Sequence, residues 1–177
     1  YDVPVLVERA GSPKLPDVFG PPDVLMMDLA VATTVQPATP WIAAQAKPWP
    51  GRLNVLRLQG GTSYAFNSVV GAQATMGELL NALPAGIIGR VDYQHALDVV
   101  LDFGAVSSAT REELLSGANL VAVGSELDGY EILQFESAEL TGNSTYRLRG
   151  LLRAQSGSFA EMLPLRIAGQ RFVLMNG

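Results

Sequence analysis

The stretch Leu120-Val-Ala-Val-Gly-Ser-Glu-Leu-Asp-Gly-Tyr-Glu-Ile-Leu-Gln-Phe-Glu136 has the pattern of two β-strands joined by a tight turn. Apolar and β-branched side chains fill both runs, which is typical of strands. Asp128-Gly129 lies between them and favours a type I′ turn, because that turn needs positive φ at both central residues. The stretch therefore predicts a β-hairpin at Asp128-Gly129.

Further strands are predicted on both sides of this hairpin. From Leu97 to Phe103 apolar residues alternate with polar ones, so a strand there would bury one face and place Asp98 and Asp102 on the other. Tyr146 to Arg153 and Gly169 to Met175 have strand-like composition as well. The second half of the chain is therefore expected to be β-rich.

Two short helices are predicted from capping boxes, in which a Thr and a Glu three residues later satisfy free amides at a helix start. Thr75-Met-Gly-Glu78 precedes leucines and a proline, which predicts a helix over Met76–Leu83. Thr110-Arg-Glu-Glu113 predicts a second helix over Arg111–Ser116.

The first third of the chain is rich in proline, with nine of the 11 prolines at or before Pro50. Proline fixes φ and lacks an amide donor, so extended segments and turns are expected there. Val24 to Ala32 and Leu53 to Leu58 are the predicted strands of this region.

The predicted fold class is mainly β, with one or two small β lobes of the sandwich or barrel type and the two short helices. We predict a proline-rich N-terminal β lobe over residues 1–85 and a C-terminal β lobe over residues 86–177, with Gly86 and Gly89 as the joint. Because the sequence starts with Tyr1, we expect it to be a piece of a longer chain.

Composition excludes several classes of protein. With 16% charged residues and 48% hydrophobic residues, the chain is not expected to be disordered or a coiled coil. It has no cysteine, which excludes disulfides and thiolate metal sites. The net charge of −5 argues against nucleic-acid binding. No uncharged stretch resembles the ~20-residue apolar helix that spans a bilayer.

The charges form blocks of opposite sign. Residues 86–139 hold ten acidic and two basic side chains, whereas residues 140–177 hold one acidic and five basic ones. Such blocks predict either pairing within the chain or complementary contacts with neighbouring chains.

Three arginines of the basic block form a candidate interface. Arg147 and Arg149 share one strand face, and Arg153 joins them if the alternation continues unbroken. Their guanidinium groups could bind carboxylates of a partner chain or anionic sugars. The alternative is cross-strand pairing with the acidic hairpin of the same chain.

Two tryptophans near prolines are further interface candidates. Trp41 and Trp49 would serve as exposed anchors for a partner protein or a sugar. The alternative is that both belong to the core, which is the commoner use of tryptophan.

The residues that could carry chemistry do not form a convincing set. On a strand, His95 points away from Asp98 and Asp102, so these three do not predict a metal site. Two of Glu126, Glu131, Glu136 and Glu139 could be the paired carboxylates of a cell-wall hydrolase, with Glu131 and Glu136 as the pair to test, but hairpins often carry acids on a solvated face. There is no Gly-x-Ser-x-Gly, P-loop or dinucleotide motif. We therefore expect no enzyme activity, no cofactor and no metal.

The order and spacing of ten short segments from Pro48 onward resemble a known family, the large tail-tip ("hub" or "megatron") proteins of gene transfer agents and related siphophages. The segments are Pro48-Trp-Pro-Gly51, Met76-Gly-Glu-Leu-Leu80, Gly104-Ala-Val-Ser-Ser108, Gly117-Ala-Asn119, Tyr130-Glu-Ile-Leu-Gln-Phe135, Ala138-Glu-Leu140, Tyr146-Arg-Leu148, Leu151-Leu-Arg153, Gln155-Ser-Gly157 and Phe172-Val-Leu174. One departure is Arg153-Ala154, where the family usually has Arg-Gly, so a turn that normally uses glycine must be made differently.

The resemblance implies a structural component of a tail tip or baseplate without catalytic residues. It implies a homotrimer in the particle, with other hub subunits and tail-tube subunits as partners. The expected location is a phage-like particle that is assembled in the bacterial cytoplasm and released by lysis. The alternative is a carbohydrate-binding module at the tail tip that recognises glycans of the host envelope.

Overall fold

The computed structural model of the chain describes residues 18–29 and 40–175. Within them the chain forms twelve strands, one α-helix and one turn of 3-10 helix. The strands before the helix are β1 (Asp23–Met27), β2 (Trp41–Gln45), β3 (Leu53–Gln59), β4 (Ser63–Val70), β5 (Met76–Leu79), β6 (Leu83–Pro84) and β7 (Leu97–Phe103). The later elements are α1 (Arg111–Leu115), β8 (Leu120–Ser125), β9 (Gly129–Gly142), β10 (Thr145–Leu152), the 3-10 turn (Gln155–Gly157), β11 (Leu165–Arg166) and β12 (Arg171–Leu174).

Six of these strands close into an antiparallel barrel in the order β10-β7-β5-β12-β8-β9, and β9 pairs back with β10. The other strands form the two-stranded sheets β1–β2, β3–β4 and β6–β11. The prediction of a mainly β, barrel-like fold is therefore confirmed.

The alternation of apolar residues fills the barrel. In β7 the residues Leu97, Val99 and Leu101 are buried, while Asp98 lies on the other side as predicted. The interior core is made by side chains from all six barrel strands and from Leu83: Leu79, Leu83, Leu97, Val99, Leu101, Val121, Val123, Leu133, Phe135, Leu148, Leu151 and Phe172. Each of these side chains stabilises the fold by about 1.5–3 kcal/mol on burial.

Two further sheets lie on one outer side of the barrel. Met27 and Ala43 of the β1–β2 sheet pack in a second core against Ala122, Ile132 and Val173 of the barrel. The β3–β4 hairpin then lies over the far side of β1–β2, where its residues share a groove with that sheet. The result is a stack of barrel, β1–β2 and β3–β4.

One of the two predicted helices is wrong. The expected helix over Met76–Leu83 is instead β5 and β6, and β5 pairs with both β7 and β12. Gly77 explains why, because a Cβ at this residue would lie 1.9 Å from the carbonyl oxygen of Val100. Glycine weakens helices and permits this close approach of two strands, so pairing within the barrel overrides the capping-box pattern.

The other predicted helix is confirmed as α1. Thr110 caps it by accepting a hydrogen bond from the Glu113 amide, and the Glu113 side chain accepts from the Thr110 amide, as the capping box requires. Leu114 is the buried residue of this helix.

The β8–β9 hairpin is confirmed, but its turn is not type I′. Ser125 pairs with Gly129, and of the pair Asp128-Gly129 only Gly129 has a positive φ, of 70°. The Asp128 amide donates to the Ser125 hydroxyl, and the Asp128 carboxylate accepts from the same hydroxyl at 3.0 Å. These side-chain bonds give a longer turn than the two-residue pattern predicts.

Of the two strands predicted near the N-terminus, one is confirmed and the other is shorter than predicted. The Leu53 to Leu58 strand is present as β3. The predicted Val24 to Ala32 strand is shorter, as β1 ends at Met27, and its residues from 30 onward lie outside the described residues. The predicted domain boundary at residues 85/86 stays a prediction; β5, which precedes it, pairs within the barrel.

We predict that Gly77→Ala destabilises the chain by roughly 1–3 kcal/mol, because the new Cβ would push β5 away from the Val100 carbonyl. Gly71→Ala is the matched control, since a Cβ there has no atom within 4 Å. Urea unfolding followed by circular dichroism measures both. Equal stability of the two variants would contradict the close β5–β7 contact.

Candidate interaction surface

A fully buried ion pair joins β9 to the segment that follows β10. Glu131 of β9 and Arg153, which follows β10, both have side chains that are 0% exposed. The guanidinium donates from Nε and Nη2 to the two carboxylate oxygens at 2.7 and 2.8 Å. Its Nη1 donates to the Pro84 carbonyl at 2.9 Å. Such bidentate geometry offsets much of the cost of burying both charges.

Arg153 does not lie on the same strand face as Arg147 and Arg149, so that part of the predicted interface is wrong. Leu148 and Leu151 are both in the barrel core although they are three residues apart, so the alternation breaks between them. The break falls at Gly150, which has a φ of 66°. Arg153 consequently points inward, and it does not join Arg147 and Arg149 on the outer face.

The residue after Arg153 is the one that departs from the pattern of the proteins that the sequence resembles. Ala154 has φ 53° and ψ 45°, which is the left-handed region that glycine normally occupies. Its amide donates to the Glu131 carboxylate at 3.3 Å. The turn is therefore kept without glycine, and the buried ion pair helps to hold it.

The other two arginines of the predicted interface, Arg147 and Arg149, lie on the outside of the barrel. Arg147 makes a bidentate pair with Asp98 of the neighbouring strand β7, with N–O distances of 2.7 and 2.8 Å. Hydrogen bonds from Arg147 hold the pKa of the Asp98 carboxyl below its usual range, against the opposing effect of burial. Arg149 is exposed. The alternative of pairing with the acidic hairpin thus applies to Arg153, which pairs with Glu131, whereas Arg147 pairs within the chain but with β7.

A second buried arginine supports the hairpin turn. Arg166 donates from Nη1 to the side chain of Gln170 at 2.8 Å and to the Gly129 carbonyl at 3.3 Å. Gln170 in turn donates to the Asp128 carboxylate at 2.6 Å. Burial lowers the pKa of Arg166. The sequence pattern did not indicate this network, because the pair Arg166 and Gln170 is far along the chain from Asp128 and Gly129.

The titratable residues considered for chemistry are engaged in separate local contacts. The His95 Nδ1 lies 2.7 Å from a carboxylate oxygen of the buried Asp92, whereas Asp98 pairs with Arg147. Burial raises the pKa of Asp92, but hydrogen bonds from the His95 ring and two backbone amides outweigh it, so this pKa is lowered. Within residues 18–29 and 40–175, no group of three metal-ligating side chains comes together.

Glu131 and Glu136, the two candidate catalytic carboxylates of a hydrolase, have different hydrogen-bond partners. Glu131 is held by Arg153, whereas Glu136 accepts hydrogen bonds from Tyr93 at 2.7 Å and from Arg111 at 2.5 Å. Both carboxylates are thus held by arginines of this chain.

The predicted tryptophan anchors differ in exposure. Trp41 begins β2, is 37% exposed and lines a surface groove with Ile42 and Val69. Trp49 is half-buried. Only Trp41 therefore has the exposure that a surface anchor needs.

The sequence did not predict an exposed apolar surface on the β3–β4 hairpin. One face of the β3–β4 hairpin carries six exposed side chains, which we name the outer face: Asn54, Leu56, Leu58, Tyr64, Phe66 and Val69. Leu56 lies opposite Phe66 and Leu58 opposite Tyr64, so two leucines on β3 face two aromatic residues on β4. Apolar residues do alternate in the sequence of both strands. Such alternation predicts a strand with an apolar face, but it does not show whether another element covers that face.

The exposure of these residues is unusually high for apolar side chains on a sheet. It is 53% for Leu56, 51% for Leu58, 71% for Tyr64 and 65% for Phe66. On the opposite face Leu53, Val55 and Val70 are half-buried. The hairpin is therefore anchored on one side and bare on the other.

The fold and this surface together define a small closed β-barrel protein that carries an exposed apolar sheet face. The family described as "Rcc01698-like, C-terminal" matches residues 74–173, which is more than half of the chain. The chain therefore belongs to the Rcc01698-like family. Rcc01698 is a gene transfer agent protein of Rhodobacter, so the expected association with gene transfer agents holds for the family. A comparison with curated proteins finds no match.

The matched region coincides with the barrel. It begins just before β5 and ends in β12, so it contains β5 to β11 in full. The sheets β1–β2 and β3–β4 lie upstream of it. Among the described residues, no helix has both the length and the apolar content that crossing a membrane would require.

We predict that Arg153→Met costs about 3–5 kcal/mol of unfolding free energy, because Glu131 would stay buried without its partner. The double variant Glu131→Leu/Arg153→Met should recover most of this loss. Arg147→Met, which breaks the half-exposed pair with Asp98, should cost far less, because solvent screens that pair. Urea unfolding measures all three, and a small effect of Arg153→Met would contradict the buried pair.

We predict that Asp98 contributes to acid sensitivity. Its folded pKa is below the unfolded value near 3.8, so its stabilisation is present above that pH and is lost as pH falls through the folded pKa. Asp98→Asn should therefore flatten the fall in unfolding free energy between about pH 5 and pH 3. Asp102→Asn on the same strand is the matched control for the removal of one carboxylate, and urea unfolding at each pH measures both variants.

Proposed function

We propose that the chain is a structural, non-catalytic component of the tail tip or baseplate hub of a gene transfer agent particle. It assembles there as a homotrimer with other hub subunits and with tail-tube subunits. In this proposal the particle is assembled in the bacterial cytoplasm and released by lysis. The observation that carries the proposal is the exposed outer face of the β3–β4 hairpin, attached to a filled, closed barrel in a chain whose family is associated with gene transfer agents.

The physical support is that a sheet face of leucine and aromatic side chains is costly to leave in water. At about 25 cal/mol for each Å² of apolar surface, covering such a face stabilises an assembly by several kcal/mol. A barrel interior packed with side chains is well suited to hold such a face in a fixed position.

Glycan binding at the tail tip is the second candidate, and Trp41 is the observation in its favour. Its ring lines a surface groove with Pro40, Ile42 and Ser68. Sugar sites need several convergent polar groups beside an aromatic ring, and this groove has few polar side chains. Trp41→Ala should abolish glycan binding if this alternative is correct.

The experiment is immunogold labelling of purified particles that carry an epitope tag in the turn at Leu127. This residue is 97% exposed and lies outside the outer face, so the tag should be accessible. We expect label at the end of the tail and a strong fall in gene transfer when the segment encoding this chain is deleted. Label on the head, or particles that contain no tagged chain, would overturn the proposal.

A further inference from the structure

A small cleft lies where the end of β1 meets the turn of the β8–β9 hairpin. It is lined by Met26, Asp28, Ser125, Glu126, Gly129 and Tyr130. Its two acidic residues are exposed, and one follows β1 while the other lies in the hairpin turn. Within residues 18–29 and 40–175, neither Asp28 nor Glu126 takes part in an ion pair. The described part of the chain therefore supplies no cation to the negative charge of the cleft.

Tyr130 adds a buried polar atom to the wall of the cleft. This residue is 5% exposed and packs in the second core with Met27 and Ile132. Its hydroxyl has no hydrogen-bond partner among the described residues. Burial raises the pKa of the Tyr130 phenol, and the charge of Glu126 raises it further, so the hydroxyl lies near that carboxylate. A buried hydroxyl without a partner destabilises a fold, so its cost is offset only when something binds it.

The other polar groups of the hairpin turn are already bonded within the chain. The Ser125 hydroxyl donates to the Asp128 carboxylate at 3.0 Å. The Gly129 carbonyl accepts from the Arg166 guanidinium at 3.3 Å. A ligand in the cleft therefore meets the two free carboxylates and the Tyr130 hydroxyl.

The chemistry of these oxygens favours a guanidinium group over a metal ion. A calcium ion takes about six to eight oxygen ligands, whereas no three metal-ligating side chains come together within the described residues. An arginine side chain has several N–H donors in a planar fork, which can bond two carboxylates and a hydroxyl at once. The exposed side chain of Met26 can pack against the apolar stem of such an arginine.

We propose that this cleft binds an arginine side chain of a neighbouring chain in the particle. Asp28 and Glu126 accept hydrogen bonds from the guanidinium group, and the Tyr130 hydroxyl accepts another. The proposal rests on the hub function for its setting and deepens it by naming a contact and the chemistry of the partner. The contact joins two different surfaces, and contacts of that kind can close into a three-fold ring.

The chain's own residues outside the described ranges are poor sources of the cation. Residues 30–39 contain no charged side chain, and residues 1–17 contain two basic residues, Arg9 and Lys14, but three acidic ones. The double variant Arg9→Gln/Lys14→Gln should therefore keep the urea midpoint of the unchanged chain. A lower midpoint that the further change Glu126→Gln does not lower again would assign one of these cations to the cleft and overturn the proposal.

The first test is urea unfolding of the free full chain. Tyr130→Phe should raise the midpoint, because it removes a buried hydroxyl that has no partner. Tyr64→Phe removes a hydroxyl from a residue that is 71% exposed, and it should leave the midpoint unchanged. A lower midpoint for Tyr130→Phe would show that the free chain already binds this hydroxyl and would overturn the proposal.

The second test is NMR titration of the free full chain with the peptide acetyl-Gly-Arg-Gly-amide. We expect the amide signals of Glu126, Gly129 and Tyr130 to shift, and we expect no such shift with the same peptide carrying Gln in place of Arg. Glu126→Gln should weaken binding, whereas Glu112→Gln removes an exposed acid on α1 and should not. Shifts caused by calcium chloride but not by the arginine peptide would assign the cleft to a metal ion and overturn the proposal.

The third test measures how much of each variant enters purified particles, by quantitative immunoblot. Tyr130→Phe and Glu126→Gln should each lower incorporation about fivefold, which is the effect of one ordinary hydrogen bond. For Tyr130→Phe this loss would accompany a more stable free chain, a combination that a purely structural role of Tyr130 does not give. Glu112→Gln is again the control. These chains carry no tag at Leu127, since that residue is next to Glu126.

The outcomes separate this proposal from the hub function. Label at the end of the tail, together with unchanged incorporation of Tyr130→Phe and Glu126→Gln, removes the arginine contact and leaves the hub function. Binding of the arginine peptide that Glu126→Gln weakens, in a chain that never enters particles with or without a tag, removes the hub function and leaves the arginine site. A free chain that does not bind the peptide overturns the proposal.

Discussion

The closure of the barrel is the constraint on which the rest of the structure depends. Strand β9 pairs with β8 through its first half and with β10 through its second half, and the two pairings meet at Gln134. Each barrel strand thereby pairs with a strand on either side over at least part of its length, so much of the backbone edge of the barrel is already paired. A barrel closed in this way offers partners mainly its outer surfaces and the sheets attached to them. This is why the β3–β4 hairpin, outside the barrel, is the part of the chain with a bare apolar face.

Closure also explains the buried charges. Beyond the last pair of β9 with β10, the segment after Arg153 bonds to β9 through a side chain: the Ile132 amide donates to the buried Ser158 hydroxyl at 2.8 Å. The ion pair of Glu131 and Arg153 lies beneath this segment and binds the Ala154 amide. A buried charge is tolerated only when it is paired and hydrogen-bonded, so this pair specifies how the segment is placed. The left-handed backbone at Ala154 fits the same geometry.

Local sequence patterns predicted most elements and failed where distant residues decided the structure. Alternation correctly predicted β7, and the capping box at Thr110 correctly predicted α1. The same capping pattern failed at Thr75, because the pairing of Gly77 with strands far along the chain outweighs it.

The same limit applies to the candidate site. Arg153 points inward because the alternation of inward and outward side chains along β10 breaks at Gly150. No feature of the sequence predicts this break. The sequence did not predict the outer face, because its exposure depends on how the sheets stack. No local sequence pattern contains that information.

The most direct test of whether other chains cover the outer face is hydrogen exchange, measured on the free full chain and on the chain within purified particles. The account predicts that barrel amides are protected in both samples, while amides of residues 53–70 exchange rapidly in the free chain and slowly in the particle. Equal protection of residues 53–70 in both samples would contradict it.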